Sequence, residues 1–129
     1  MESLHAGERS MGQQQWARLQ SDVNVKLRRG AWYRILKLGP LEAVLDVNRQ
    51  PHSVARGLLQ IVQAAPSRWT VVPAPRNALR FPAGWGDRYA VCPACRGRSQ
   101  LEGHHNNMRC TRCNGLFDIA WNEPYLKSA

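Results

Sequence analysis

No stretch of apolar residues in this chain approaches the ~20 that a membrane-spanning helix requires. The first ten residues, from Met1 to Ser10, are mostly polar and contain no apolar signal-peptide core, so we expect a protein of the reducing cytosol. Disulfides are uncommon in that compartment, and the four cysteines are therefore not expected to be joined in pairs. Met11 is an alternative start site to Met1.

Acidic residues are also scarce. Nine aspartates and glutamates are outnumbered by 18 lysines and arginines, which gives a formal net charge of +9. Such a surplus favours polyanionic partners through counterion release. Only Lys26, Lys37 and Lys127 are lysine, and the excess of arginine suits forked contacts to phosphate or carboxylate. A GC-rich genome would produce the same bias.

Catalytic signatures are missing as well. The acidic residues are scattered, and the sequence has no nucleophile elbow, no glycine-rich phosphate loop and no set of metal ligands other than the cysteines. His5 and His52 are isolated in the sequence. We therefore expect a protein that is not an enzyme and has no small-molecule substrate.

From Val23 onward the chain shows the period-two pattern of half-buried strands. Val23, Val25 and Leu27 alternate with polar residues and predict a first strand, and a turn is expected at Arg28–Gly30. Further strands are expected over 32–36, 41–47, 53–54 and 60–62, with a turn at 48–51 and a tight helical turn within 55–59. The predicted fold class is all-β.

Four strands, a tight turn and a closing strand form an order that resembles an SH3-like barrel. The resemblance covers residues 22–62, and the run Gly-x-Trp-Tyr-x-Ile from Gly30 to Ile35 is its most suggestive part. It implies a small antiparallel barrel. Another small β-sheet would satisfy the same pattern.

The cysteines occur as two copies of one motif: Cys, two residues, Cys, one residue, Gly. The first copy holds Cys92 and Cys95, and the second holds Cys110 and Cys113. Two residues between thiolates let one tight turn direct both sulfurs at a single ion about 2.3 Å away. The glycine allows a backbone conformation or a close approach that a side chain would hinder. The 14 residues between the turns are enough for a hairpin that brings them face to face.

These turns resemble the knuckles of the zinc-ribbon superfamily. The resemblance implies one structural zinc ion bound by Cys92, Cys95, Cys110 and Cys113, with the strand that follows the second knuckle packed beneath the metal. The usual ribbon has glycine directly after the second cysteine of each knuckle, whereas this chain has Arg96 and Asn114. A unit of this size buries too little apolar surface to fold unaided, so the metal would supply the missing free energy.

Other interpretations of the cysteines are open. A single iron is the second choice of metal. A CxxC redox centre requires a βαβ context that the sequence does not show. His104 or His105 would serve as a ligand if a cysteine did not, but with four cysteines available we expect both histidines to be polar residues of the hairpin loop.

The predicted domain organisation has four parts. Residues 1–20 are a flexible N-terminal tail, 21–65 the SH3-like barrel, 66–88 a connector and 89–129 the zinc ribbon. The connector is rich in proline, glycine and aromatic residues, contains a strand over 68–72, and is expected to pack on the domains and bury its rings. The rings are those of Trp69, Phe81, Trp85 and Tyr89.

The sequence favours a module that binds nucleic acid, or a nucleic-acid-bound complex, in transcription or translation. Three features support this: the basic charge, the aromatic residues near arginines, and the resemblance to two folds that are common in proteins of transcription and translation. The candidate contacts are Arg28, Arg29, Trp32 and Arg34 on the barrel, with Arg96, Arg98 and Arg112 on the ribbon. For each one, a structural role in core or solvated surface is the competing interpretation. The alternative functions are a protein-interaction adaptor and a thiol-based redox or metal sensor. The sequence specifies neither the partner nor the oligomeric state.

Overall fold

A computed structural model describes residues 14–74 and 82–126. Within these segments the protein is nearly all β, with ten strands in two five-stranded sheets, one of them curled into a half-barrel. The predicted all-β class is confirmed. In the same segments no helix has the length and apolar character needed to cross a membrane.

The strands are short and follow one another closely along the chain. In order they are β1 Trp16–Leu19, β2 Tyr33–Leu38, β3 Glu42–Val47, β4 Gln50–Ala55, β5 Leu59–Val62, β6 Arg68–Pro73, β7 Arg88–Val91, β8 Arg98–Gln100, β9 Asn107–Arg109 and β10 Leu116–Ile119. Two single-turn 3₁₀ helices, Arg56–Leu58 and Ala83–Trp85, lie before β5 and β7.

The described residues divide into two compact units. The barrel unit comprises residues 14–18 and 33–65, and the cysteine unit comprises residues 19–32, 66–74 and 82–126. The segment 19–32 therefore belongs with the cysteines, although the sequence pattern assigned most of it to the barrel.

From its second strand onward, the barrel unit carries the predicted succession of strands. Its sheet has the order β4-β3-β2-β1-β5, so the chain runs through four antiparallel neighbours, makes the 3₁₀ turn and closes with β5 beside β1. Asn48 and Arg49 join β3 to β4 with φ of 52° and 68°, the conformation of a two-residue hairpin turn. Ala43 and Leu45 of β3 are fully buried and form the inward face of this strand.

The first strand lies elsewhere than predicted. Residues 23–27 do not form a strand: 23–24 are irregular and 25–27 are bends, and β1 is instead Trp16–Leu19. Alternate residues in 23–27 do point inward, and Leu27 is buried, but the backbone bonds are local: Val23 N–H donates to Ser21 O, and Val25 N–H donates to Val23 O. Period-two burial reports alternating side chains and does not by itself supply a neighbouring strand.

β1 falls within the stretch that the sequence pattern assigned to a tail. It is four residues long, and its charged Arg18 is only 2% exposed, between fully buried Ala17 and Leu19. The Arg18 Nε donates to Gln60 Oε1 at 2.9 Å. A short strand with a buried charge has no apolar alternation, which is why the pattern did not reveal it.

The cysteine unit is built around β6. Its sheet has the order β8-β7-β6-β10-β9, with β6 and β10 parallel and the other pairs antiparallel. The predicted strand at 68–72 is confirmed, but it is the central strand of the sheet rather than part of a connector. Trp69 is fully buried, and Tyr89 is 3% exposed, as expected for these rings. Trp85 is half-buried, and Phe81 lies outside the described residues.

Candidate metal centre

Each cysteine turn connects two antiparallel strands. The first, Cys92–Gly97, connects β7 to β8, and the second, Cys110–Gly115, connects β9 to β10. In the first turn, the Cys92 N–H donates to Gly97 O at 2.8 Å, and the Arg96 N–H donates to Cys92 O at 3.1 Å. The equivalent bonds of the second turn measure 2.8 and 2.9 Å. Two closely similar turns therefore present the cysteines.

The residue after the second cysteine of each turn has a left-handed backbone. Arg96 and Asn114 both have φ of 64°, a conformation in which glycine is favoured and asparagine is tolerated. At the positions where the zinc-ribbon resemblance leads one to expect glycine, Arg96 and Asn114 therefore have a backbone conformation that favours glycine.

The glycine that follows is needed for space. A Cβ built on Gly97 would lie 2.7 Å from Arg112 Cδ, and one on Gly115 would lie 2.5 Å from Phe117 Cε2. Real Cβ atoms do not approach other atoms so closely, so a side chain at either position would force its neighbour to shift: the flexible Arg112 stem at Gly97, and the Phe117 ring at Gly115. Of the two roles that the sequence suggested for these glycines, close approach is the one observed.

The four sulfurs have the spacing of a tetrahedral metal site. All lie within 4.8 Å of one another; Cys92 Sγ and Cys113 Sγ are 3.7 Å apart, and Cys95 Sγ and Cys110 Sγ are 3.6 Å apart. A tetrahedron with 2.3 Å metal–sulfur bonds has edges of about 3.8 Å. The donor set and its geometry fit one metal ion.

The thiols differ in how readily they ionise before a cation binds. Burial raises the pKa of Cys95 and raises that of Cys92 to about 12. Burial opposes ionisation of Cys110 too, but N–H groups of Cys113 and Arg112 directed at its sulfur, helped by the neighbouring thiols, lower its pKa to about 7. Metal binding must displace the remaining protons, so it weakens as the pH falls.

The centre rests on the core of the cysteine unit. Cys92 and Cys110 pack with Trp69 and Ile119 in one buried cluster, and the Trp69 Nε1 donates to Met108 O at 2.9 Å. Because Ile119 ends β10, the strand after the second knuckle does pack under the cysteines, as the zinc-ribbon resemblance implied.

The histidines of the β8–β9 loop take no part in the cluster. The His104 ring stacks on Trp121, with 4.0 Å between centroids and 15° between planes. The His105 carbonyl accepts a 2.6 Å hydrogen bond from Trp121 Nε1. Among the described residues, the only group of three or more side chains placed to hold a metal ion is the four cysteines.

The structure brings several of the candidate contact residues together in the cysteine unit. Arg28, from the turn after Leu27, donates from Nη1 to Arg96 O, although 68 residues separate the two. The Arg98 guanidinium carbon lies 5.7 Å from the centre of the Tyr89 ring. Burial raises the pKa of Tyr89, and the positive charges of Arg98, Arg29 and Arg28 act against that rise. Arginines from two distant stretches of the chain thus act electrostatically on one ring near the first knuckle, and Arg98 lies against that ring.

The other candidates are placed differently. Trp32 is 8% exposed and lies at the end of the segment 19–32 of the cysteine unit. Arg34 is exposed on β2 in the barrel unit. Arg112 is exposed, and its aliphatic stem lies against Gly97. Arg29 bonds to Asp22 at 2.6 Å.

A residue that the sequence pattern did not single out fixes the segment 19–32. The Tyr125 hydroxyl donates to Leu19 O at 2.6 Å and accepts from Gly30 N–H at 2.9 Å, which ties down both ends of the segment. One tyrosine near the C-terminus carries no sequence signal for this role. Its bond to Gly30 anchors the chain next to Arg28 and Arg29.

Comparison of the chain with protein-family models, with curated proteins and with solved structures finds no match.

Proposed function

We propose that the protein is a non-enzymatic, cytoplasmic module that binds nucleic acid, or a nucleic-acid-bound complex, through an arginine surface beside a structural zinc ion. The observation that carries the proposal is the convergence of arginines from two distant stretches of sequence on the first knuckle and Tyr89. We call this set the knuckle arginines: Arg28, Arg29, Arg96, Arg98 and Arg112.

Zinc is the metal that this donor set suits best. Four thiolates in a tetrahedron bind Zn²⁺ and fill its coordination shell, so no position is left for water or substrate. The same ligands would hold a single iron. Elemental analysis of the purified chain distinguishes the two, and zinc is expected at one ion per chain.

Charge favours a polyanion as the partner. A tetrathiolate with one divalent cation carries a charge of 2−, and Asp22 adds one more negative charge next to Arg29. The five knuckle arginines exceed this, so the surface has a positive balance beyond what the metal centre neutralises. Arginine forks and a nearby aromatic ring suit phosphate and base contacts.

The test is a titration of the full chain, with its metal, into random-sequence DNA and RNA at about 50 and 200 mM salt. We expect binding that weakens with salt. The Arg98→Gln/Arg112→Gln variant should weaken binding and reduce the slope of log affinity against log salt by about 0.7 to 0.9 per lost phosphate contact.

A matched control removes the same charge from the barrel unit. Lys37 and Arg49 are both exposed there, and the Lys37→Gln/Arg49→Gln variant should bind nearly as well as the native chain. Equal losses in the two variants would mean that net charge alone is responsible. No binding at the lower salt concentration would refute the proposal and favour the adaptor function.

A further inference from the structure

The four cysteines of the metal centre are not equally accessible. Cys92 and Cys110 are buried, Cys95 is half-buried, and Cys113 is exposed. Coordination to a metal keeps a cysteine deprotonated, and the thiolate is the form that oxidants attack. Cys113 therefore combines thiolate character with exposure, the two properties that make a cysteine susceptible to oxidation.

The sulfurs of the two buried cysteines are shielded further by hydrogen bonds. The Ala94 N–H donates to Cys92 Sγ and the Arg112 N–H donates to Cys110 Sγ, each at 3.4 Å. Such bonds withdraw electron density from a thiolate and make it less reactive. Attack by an oxidant from solution is therefore directed to the exposed sulfur.

A second sulfur lies close to that of Cys113. Cys92, on the other knuckle, has its Sγ 3.7 Å from Cys113 Sγ. Because the S–S bond of a disulfide is about 2.05 Å long, the two sulfurs need to approach each other by only about 1.7 Å. The Arg112 stem lies against Gly97, so the two knuckles are already packed together. An accessible thiolate next to a resolving cysteine is the arrangement of a redox-sensitive site.

We propose that Cys113 is an oxidation site for hydrogen peroxide and that Cys92 converts the oxidised product to a disulfide. The Cys113 thiolate attacks one peroxide oxygen: an S–O bond forms, the O–O bond breaks, and hydroxide leaves, which gives a sulfenic acid. The Cys92 thiolate then attacks the Cys113 sulfur: an S–S bond forms, and the S–O bond breaks with loss of a second hydroxide. Two thiolates are thus oxidised by two electrons in total, and one peroxide is reduced to two hydroxide ions.

This reaction removes two of the four metal ligands. Cys95 and Cys110 alone do not complete a tetrahedral shell, so the metal is released. The new disulfide joins the same two knuckles that the metal joined. The proposal rests on the metal centre of the proposed function and does not depend on nucleic-acid binding.

The experiment adds hydrogen peroxide to the zinc-loaded full chain in the presence of a chromogenic zinc indicator. We expect zinc to be released in step with formation of the disulfide between Cys92 and Cys113, and a phosphine reductant with added zinc should restore the metal content. Dimedone, which traps sulfenic acids, should label Cys113 before the other cysteines. Tryptic cleavage after Arg112 separates Cys110 from Cys113, so mass spectrometry of the unreduced peptides resolves the pairing.

Two histidine variants test the role of Cys113. Histidine replaces one cysteine in Cys₃His zinc sites, so Cys113→His and its matched control Cys95→His should each bind one zinc ion. The Cys113→His chain should retain its zinc at peroxide concentrations that release zinc from the native chain. The Cys95→His chain keeps both Cys113 and Cys92 and should remain as sensitive as the native chain. Equal protection in the two variants would overturn the assignment of Cys113.

Measurements on the native chain decide the matter if either variant loses its zinc. A zinc-loaded native chain that keeps its metal and its thiols in excess peroxide overturns the oxidation site and leaves the proposed function standing. A disulfide within one knuckle, between Cys110 and Cys113 or between Cys92 and Cys95, overturns the role of Cys92. A native chain that binds no zinc refutes the metal centre of the proposed function itself.

Discussion

The two cysteine turns share one sequence motif and nearly the same backbone, yet different parts of the chain hold them. In the first turn, the carbonyl of Arg96 accepts a hydrogen bond from Arg28, 68 residues earlier. In the second, the equivalent carbonyl of Asn114 accepts from Arg109, five residues earlier, at 2.7 Å. The first turn is thus tied to a distant segment of the chain, and the second is closed locally.

The cysteines of the first turn are also more buried than those of the second. The leading cysteine is buried in both turns, but Cys95 of the first turn is half-buried, whereas Cys113 of the second is exposed. One motif can therefore serve two purposes. The first turn places Cys92 and Cys95 beside the arginine surface, and the second places Cys110 and Cys113 next to the edge strand β9.

Loss of one thiolate should have unequal consequences. We expect Cys92→Ser to abolish metal binding and unfold the cysteine unit, because water cannot reach the buried position to replace the lost thiolate and structural zinc supplies about 10–16 kcal/mol. Cys113→Ser should still bind one ion, but more weakly, because water can reach the exposed position and act as the fourth ligand. Metal content by mass spectrometry and near-ultraviolet circular dichroism measure both. Equal losses would contradict the comparison.

Acid should release the metal. Metal binding requires thiolates, so the stability it provides is present at higher pH and is lost as the pH falls. Burial keeps Cys92 protonated in the empty site up to a pKa of about 12, whereas Cys110 takes up its proton only below a pKa of about 7. The apparent affinity should therefore fall more steeply with decreasing pH below about 7 than above it. A competition titration with a metal indicator measures the slope, and an affinity independent of pH would contradict the assignment.

Much of the fold can be predicted from the sequence pattern, because clear alternation identifies a short strand and strong turn residues identify its ends. The inward face of β3 and the Asn48-Arg49 turn are of this kind. The metal centre is equally evident, since four cysteines at knuckle spacing allow few other arrangements. Local chemistry determines these features, and local chemistry can be read from a single sequence.

The features of the fold that the sequence pattern did not predict depend on contacts between residues far apart in the chain. β1 contains buried Arg18, whose partner Gln60 lies 42 residues away, and the segment 19–32 joins the cysteine unit through Tyr125. Alternation in 23–27 showed which side chains point inward, but not which unit they face. The same limit applied to Trp121, whose neighbours come from a loop and from β7.

Replacement of Gly97 and Gly115 by alanine should change the free energy of unfolding by different amounts in the two turns. At Gly115 the new Cβ would meet the ring of Phe117, which packs against the core, so we expect a cost of about 1–3 kcal/mol from overpacking. At Gly97 it would meet the flexible stem of exposed Arg112, which can move aside, so the cost should stay below about 1 kcal/mol. Denaturant unfolding of the metal-loaded chains measures both, and a larger loss at Gly97 would reverse the expected order.

The smallest effect is expected at the two residues with left-handed backbone, where glycine should stabilise the first turn more than the second. Arg96 and Asn114 have the same φ of 64°, but an ordinary side chain costs about 1–2 kcal/mol in this conformation, whereas asparagine is tolerated. Glycine removes that cost and adds about 0.5–1 kcal/mol of chain entropy to be lost on folding. Arg96→Gly should therefore be more stable than the matched Arg96→Ala, which also lacks the side chain but keeps the strain. Asn114→Gly should leave the free energy of unfolding nearly unchanged. Denaturant unfolding resolves the two, and a greater gain at Asn114 than at Arg96 would show that the strain lies in the second turn.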